Sequence, residues 1–113
     1  MAYTETFEAV EPARSAVDAW RGAAVLEFGT PWCGYCRAAR PLIAEAFAAA
    51  PKVRHVKVED GRGRPLGRSF HVKLWPTLVF LRDGKEVGRL VRPDSIEAVR
   101  RALQALAVPS GGA

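Results

Sequence analysis

The sequence predicts an α/β fold, in which a mixed sheet of four or five strands carries helices on both faces. The apolar run from Ala24 to Phe28 is typical of a buried central strand, and a helical pattern follows it from Arg37 to Ala50. The alternating segment from Val53 to Glu59 predicts a second strand. Asp83-Gly84 is a dipeptide typical of a tight antiparallel hairpin. This order predicts a sheet that is parallel in its first half and antiparallel in its second.

The segment before the apolar run is expected to hold a short edge strand and a helix. Residues 3–8 are the candidate edge strand, and the helix is predicted to open at Glu11-Pro12 and to end at Gly22. The residues expected to face the core recur at helical spacing: Ala13, Ala16, Val17 and Trp20.

The rest of the chain supplies two longer helices, a short helix and the hairpin. Pro41 lies inside the first long helix and is expected to bend it. A short helix is predicted from Pro65 to Phe70. The hairpin joins Leu78–Arg82 to Glu86–Val91, and Asp94-Ser95 is predicted to cap the last helix. Two apolar stripes are expected to be buried: Ala39, Leu42, Ile43, Ala46, Phe47 and Ala50 in one helix, and Ile96, Val99, Leu103 and Leu106 in the other.

Length and composition fit a single folded domain over residues 1–113, with residues 1–12 and the tail 109–113 expected to be flexible. The N-terminus lacks the basic and apolar regions of a signal peptide, and no apolar run is long enough to span a membrane. We therefore expect a cytoplasmic protein without a membrane partner. The net charge of +5 is spread along the chain, so a solvated basic surface is favoured over nucleic-acid binding.

Cys33 and Cys36, the two cysteines of the chain, lie where the buried strand gives way to the helix. Backbone amides at a helix N-terminus favour negative charge, so this position favours a thiolate on Cys33. Cys36 lies one helical turn further on and can reach Cys33 to close a disulfide. Two cysteines do not make a four-ligand zinc site, and His55 and His71 show no ligand spacing to them. The pattern therefore indicates redox chemistry without a metal.

The stretch Trp32-Cys33-Gly34-Tyr35-Cys36, followed much later by Trp75-Pro76-Thr77, resembles the thioredoxin family. The resemblance extends from about Val25 to Leu106. It implies a thiol–disulfide oxidoreductase that acts on protein disulfides, with Cys33 as the attacking thiol and Cys36 as the resolving thiol. It also implies no cofactor beyond the Cys33–Cys36 disulfide, and an electron donor of the thioredoxin reductase type. We expect a monomer that takes part in electron transport and cell redox homeostasis.

The resemblance gives Glu27 and Lys57 possible roles. Glu27 precedes Cys33 by the spacing of the family's buried acid, and it would help to deprotonate Cys36 through water. The alternative is that Glu27 lies at the strand edge and reaches solvent. Lys57 has the spacing of a lysine that thioredoxins place near the acid, so it either approaches Glu27 or points into water. His55 is interpreted as a solvated strand residue.

The resemblance also implies a docking surface made of Trp32, Gly34, Tyr35, Trp75 and Pro76. A cis bond before Pro76 would expose the backbone of Trp75 beside the thiols, where substrate backbone can pair with it. The family has a smaller residue than Trp75 at this place. Its ring either shields the disulfide, offers an aromatic contact or packs on the active-site helix.

Three departures favour a thioredoxin-like protein over the general housekeeping thioredoxin. Gly34-Tyr35 replaces the Gly-Pro pair of thioredoxin itself. Gly29 replaces a tryptophan and is expected to leave space beside Cys33, and Arg92 replaces a glycine and adds bulk and positive charge to the docking surface. Two alternatives stay open: a disulfide oxidant or isomerase, and a partner-binding module without turnover, against which the presence of both cysteines argues.

Overall fold

The computed structural model describes residues 3–107. Its strands are β1 (Ala23–Gly29), β2 (Arg54–Glu59), β3 (Thr77–Arg82) and β4 (Lys85–Val91). Its helices are α1 (Arg14–Asp18), α2 (Gly34–Phe47), α3 (Pro65–Ser69) and α4 (Ile96–Ala107). Both long helices, the short helix after β2 and the hairpin strands match the predicted elements within a few residues, and Pro41 lies inside α2 as predicted.

The four strands form one mixed sheet in the order β2-β1-β3-β4. β1 runs parallel to β2 and antiparallel to β3, and β3 and β4 form the antiparallel hairpin. In this register Glu27 of β1 lies level with Lys57 of β2 and with Leu78 of β3. The predicted mixed sheet is therefore confirmed with four strands, and β1 occupies an interior place in it.

Alternate residues of β1 face two separate apolar layers. Val25 packs in one layer with Ile43 and Phe47 of α2 and with residues of α4. Leu26 and Phe28 pack in the other layer, together with residues of α1 and α3. A strand that is covered on both faces must be apolar almost throughout, which explains the composition of this run. Glu27 is the exception, and it lies on the same side of β1 as Val25.

The hairpin turn has the backbone that its sequence predicts. Asp83 and Gly84 both have positive φ, 51° and 79°, as a two-residue turn of the favoured handedness requires. The Asp83 carboxylate accepts a hydrogen bond from the backbone N–H of Gly22 at 2.8 Å, so the turn is tied to the start of β1.

The N-terminal part departs from the prediction in two ways. Residues 3–8 form no strand: Phe7 makes one isolated parallel bridge with Lys57, beside which the Glu8 N–H donates to the Lys57 carbonyl at 2.9 Å. α1 is also shorter than predicted. Because its five residues make little more than one turn, only Val17 in it is buried, and Ala13 and Ala16 are exposed.

The flexibility expected of residues 1–12 stays a prediction, and the tail 109–113 lies outside the described residues. Between residues 3 and 107 no helix is long and apolar enough to cross a membrane.

We expect Gly84→Ala to destabilise the fold. A Cβ at Gly84 would lie 2.2 Å from the carbonyl oxygen of Asp18, and the positive φ adds strain for any residue with a Cβ. The free energy of unfolding should fall by roughly 2–4 kcal/mol, measured by urea denaturation. Gly88→Ala is the matched control, because a Cβ there meets nothing within 4 Å. Equal stability of the two variants would contradict this account of the turn.

Candidate active site

Cys33 is the N-cap residue of α2. Its backbone is extended, and its sulfur accepts a hydrogen bond from the backbone N–H of Cys36 at 3.2 Å. The sulfur therefore lies at the positive end of the helix, where backbone amides are free to stabilise negative charge. Both cysteines are free thiols and both are largely buried. The strand-to-helix junction thus brings the two thiols together as the sequence predicts.

The two thiols differ in their surroundings. Burial raises the pKa of Cys36 to about 12, and its hydrogen bond to Cys33 and the nearby charge of Glu27 act in the same direction. A backbone hydrogen bond at Thr30 opposes the shift. The Cys36 thiol therefore keeps its proton near neutral pH, which makes it a weak nucleophile in the reduced protein.

Gly29 makes room for Cys36. A Cβ at this position would lie 2.5 Å from the Cys36 sulfur, so the space left by the missing side chain is filled by that thiol. The expectation that Gly29 leaves space beside Cys33 is therefore wrong. Glu27 and Gly29 are two residues apart in β1, so both face the same side of the sheet. The Glu27 carboxylate therefore lies on the side of β1 against which Cys36 packs.

Glu27 is buried, with 2% of its surface exposed, so the alternative that it reaches solvent at the strand edge is wrong. Its Oε1 lies 2.8 Å from Nε2 of His55. The backbone N–H of Thr4 donates to Nδ1 of the same ring at 2.6 Å, which leaves the ring proton on Nε2. His55 therefore donates a hydrogen bond to the carboxylate.

His55 belongs to the surroundings of Glu27, and the interpretation of His55 as a solvated strand residue is wrong because the ring is buried. The available signal was its place in β2, two residues before Lys57 and hence on the same side of the strand. Periodicity alone did not show that the N-terminal segment covers this side.

The Lys57 side chain neither pairs with Glu27 nor points into water, which were its two expected placements. It is buried, yet its ammonium group donates to the carbonyl of Glu5 at 3.2 Å and lies 4.6 Å from the centre of the Phe7 ring. No ion pair joins it to Glu27, although the two residues are level in the sheet. The reason is that residues 3–8 fold over β2 and offer Lys57 an acceptor and an aromatic face.

Three of the residues predicted to form the docking surface, Trp32, Tyr35 and Trp75, are linked by a contact between the two indole rings and by Arg92. Trp32 and Tyr35 are mostly exposed, and the Trp75 ring meets the Trp32 ring edge-on with 5.6 Å between centroids. The peptide bond between Trp75 and Pro76 is cis, and Pro76 is buried. The indole N–H of Trp75 donates to the Asp60 carboxylate at 2.8 Å. The Trp75 ring therefore packs against Trp32, and its expected role towards the disulfide or a substrate stays a prediction.

Asp60 is a second residue of the site that the sequence interpretation did not single out. A Cβ at Gly67 would lie 2.1 Å from its carboxylate oxygen, so the glycine of α3 leaves the space that Asp60 occupies. Asp60 and Gly67 together thus determine how the Trp75 ring is held.

Arg92 contacts two of the residues that were predicted to form the docking surface, Tyr35 and Trp75. Its Nε donates to the carbonyl oxygen of Trp75 at 2.9 Å, and its guanidinium group lies 3.8 Å from the centre of the Tyr35 ring. The Trp75 carbonyl, which the resemblance suggests as a partner for substrate backbone, is therefore already occupied by this protein's own side chain.

A largely apolar groove of about 450 Å³ runs beside Arg92. Its lining comes from α2 and from the segment after β4: Tyr35, Ala38, Ala39, Leu42, Arg92, Pro93 and Asp94. The groove is wide enough to receive a side chain of a bound segment. Among residues 3–107, no three His, Cys, Asp or Glu side chains converge as metal ligands would.

A family model described as Thioredoxin matches residues 8–105 of this chain. A protein named Thioredoxin H-type from Picea mariana is 33% identical over 83% of this chain, which spans 76% of that relative. Thioredoxin H-type 1 from Nicotiana tabacum is 37% identical over 59% of this chain. The chain spans only 53% of the length of the Nicotiana relative.

Solved structures agree with the sequence comparison. Thioredoxin 2 from Pseudomonas aeruginosa PAO1 in its reduced form superposes with a TM-score of 0.84 and 54% identity, over 93% of this chain and 97% of that one. Oxidized mitochondrial thioredoxin 3 from Saccharomyces cerevisiae superposes with a TM-score of 0.68 and 26% identity, over 82% of this chain and 86% of that one.

The raised pKa of Cys36 predicts a loss of stability in alkaline solution. Below its unfolded value of 9.0 both states hold the thiol proton, and Cys36 does not change the free energy of unfolding. As the pH rises from about 9 towards 12, the unfolded chain loses this proton and the folded chain keeps it, so stability falls.

Urea denaturation of the reduced protein across this pH range measures the effect. Cys36→Ser should lose less stability with rising pH, because serine does not titrate there. Tyr3, whose pKa burial also raises to about 12, contributes equally to both proteins. If the free energy of unfolding changed with pH in parallel for the parent and the variant, Cys36 would titrate alike in the folded and the unfolded protein, and the prediction would be wrong.

Proposed function

Because the chain belongs to the thioredoxin family and is a thiol–disulfide oxidoreductase of the protein-disulfide reductase class, we propose that Cys33 and Cys36 carry its activity in two distinct roles. The observation that carries this proposal is the asymmetry of the two thiols. Cys33 lies at the N-terminus of α2, and burial keeps Cys36 protonated. A pair of this kind separates the attacking thiol from the resolving thiol.

The reaction proceeds by two thiol–disulfide exchanges. The Cys33 thiolate attacks a substrate disulfide, forms a mixed disulfide and releases the first substrate sulfur as a thiolate. Cys36 then gives up its proton and attacks the Cys33 sulfur. The bond between Cys33 and the substrate breaks, and the second substrate sulfur leaves. The substrate gains two electrons and two protons, and the protein is left with the Cys33–Cys36 disulfide.

Glu27 is the proton acceptor for Cys36 in this proposal. It lies on the side of β1 that Cys36 contacts, and its negative charge is near enough to raise the pKa of that thiol. A carboxylate can take up the proton when Cys36 becomes the nucleophile, and it can release the proton to solvent afterwards.

Substrate docking uses Trp32, Gly34, Tyr35, Trp75 and Pro76, with Arg92 at their edge. A substrate backbone that pairs with the Trp75 carbonyl must displace the Arg92 side chain from it. An acidic side chain on the substrate offers the released guanidinium group a new partner. The surface therefore favours substrates with acidic residues next to their disulfide.

The physiological setting follows from the same chemistry. The oxidised pair needs two electrons for each turnover, and a thioredoxin reductase is the fitting donor for a family member. Neither a metal nor an organic cofactor is needed for any step. We propose a cytoplasmic monomer that works in electron transport and cell redox homeostasis.

The cysteine roles are tested by trapping. Cys36→Ser should accumulate mixed disulfides with substrate, since the resolving thiol is gone, and Cys33→Ser should not. Mass spectrometry after a short incubation with a disulfide-bonded protein measures both. Iodoacetamide should also alkylate Cys33 at least tenfold faster than Cys36 near neutral pH, because alkylation requires the thiolate. Equal trapping by the two variants would contradict the assignment.

The role of Arg92 is tested by substrate charge. Arg92→Gln should slow the reduction of an acidic disulfide peptide by roughly two- to fivefold at low salt, with less effect on a basic peptide. It should also weaken the decline of rate with added salt. Arg101→Gln, which removes an exposed arginine of α4, is the matched control. A salt profile that Arg92→Gln leaves unchanged would mean that the guanidinium group does not meet the substrate.

A further inference from the structure

The His55 ring is held from every side in the interior of the protein. No part of its side chain is exposed, and it stacks on the Tyr3 ring with centroids 5.0 Å apart and lies 4.5 Å from the Phe47 ring centroid. Thr4 donates to its Nδ1 through the backbone N–H and to its carbonyl oxygen through the hydroxyl. These contacts leave one orientation, in which the Nε2–H points to Oε1 of Glu27 at 2.8 Å.

Glu27 connects this ring to the resolving thiol. The Cys36 sulfur occupies the space above Gly29, which is the next residue on the same side of β1 as Glu27. His55 lies on the matching side of β2, because it is level with Val25 in the parallel register. His55, Glu27 and Cys36 are therefore all buried on one side of the sheet, in a row that runs from β2 across β1 to α2.

We propose that His55 is a positioning residue for the resolving step, and this proposal rests on the proposed function of Cys36 and Glu27. The Nε2–H of His55 holds Oε1 of Glu27, which leaves Oε2 to accept the proton of Cys36. Cys36 then attacks Cys33, the bond between Cys33 and the substrate breaks, and the substrate thiolate leaves. The imidazole keeps its own proton throughout.

The physical reason is the cost of a buried charge. A carboxylate in an apolar interior is stable only if donors satisfy it, and without a donor its protonated form is favoured. The Nε2–H of His55 is the donor that satisfies Oε1 of Glu27, and it holds the carboxylate in place to accept a proton from Cys36. Lys57 does not fill this role, because its ammonium group is directed to the Glu5 carbonyl and the Phe7 ring.

His55→Phe separates the hydrogen bond from the packing, because phenylalanine keeps an aromatic ring between Tyr3 and Phe47 and has no N–H to donate. The reduced protein is mixed in a stopped-flow instrument with an equal amount of dithiobis(nitrobenzoate), a symmetrical aromatic disulfide. Attack by Cys33 releases the first nitrothiobenzoate in a bimolecular phase. Attack by Cys36 releases the second in a unimolecular phase, which is the resolving step.

We expect His55→Phe to slow the unimolecular phase about tenfold and to leave the bimolecular phase within about twofold of the parent. Tenfold is part of the 10²–10⁴ that a positioned base contributes. His55→Gln should restore most of the rate, because its amide N–H can reach Glu27. In a Glu27→Gln background, His55→Phe should slow the phase no further, because the group through which His55 acts is already absent.

Any of the following outcomes would overturn the proposal. If His55→Phe leaves the unimolecular phase unchanged, or if its effect adds fully to that of Glu27→Gln, His55 does not act through the carboxylate. If Gln slows the phase as much as Phe, the N–H donor is irrelevant. If Lys57→Met slows the phase more than His55→Phe and its effect is lost in Glu27→Gln, the partner of Glu27 is the lysine.

Two further comparisons keep the test decisive. Should His55→Phe fail to fold, His55→Met and His55→Gln give the same contrast, because both side chains are unbranched and only glutamine donates. Failure of the proposed function would give a different result from failure of the His55 proposal. The bimolecular phase, which reports the attack by Cys33, would be absent from the parent protein or would persist in Cys33→Ser.

Discussion

The contact between the end of β1 and the first turn of α2 is the one on which the site depends. β1 is covered on both faces, so its last residues enter the site from the interior of the protein. Gly29 lacks a side chain, and the Cys36 sulfur occupies the space next to it. This close approach places one thiol in the interior and leaves the other at the helix N-terminus. The same contact brings Cys36 near Glu27 and keeps its proton in place.

The docking surface depends on a second set of contacts that hold Trp75 at both ends. Asp60 accepts from its indole N–H, and Arg92 donates to its backbone carbonyl. A residue held by one charged group at its side chain and by another at its backbone loses little further conformational entropy when a substrate binds. The carbonyl, however, becomes available only when Arg92 moves. The surface thus combines a fixed aromatic edge with a displaceable cation, and both belong to positions where this chain departs from the family pattern.

The N-terminal segment contributes to the site without forming a strand. Tyr3 stacks on His55, Thr4 directs the tautomer of that ring, and Glu5 and Phe7 hold the ammonium group of Lys57. These contacts bury two polar residues of β2 that an uncovered strand would present to water. The same contacts decide which of these two residues points to Glu27, because the N-terminal segment binds the Lys57 ammonium group and orients the His55 ring. A part of the chain remote from the cysteines in sequence therefore determines the environment of the proton acceptor.

The sequence by itself determined the central strands, the two long helices and the identity of the thiol pair. The apolar run of β1, the helical stripe of α2 and the Asp83-Gly84 turn are local signals, because each depends on residues close together in the chain. The tertiary structure decided the partner of Glu27, the course of Lys57 and the anchoring of Trp75 by Asp60. Those contacts join residues between 15 and 52 positions apart. Alternation in β2 places His55 and Lys57 on one side of the strand, yet it does not show what covers that side. Whether a polar side chain there meets water or a buried carboxylate depends on the path of the N-terminal segment, and only the folded chain specifies that path.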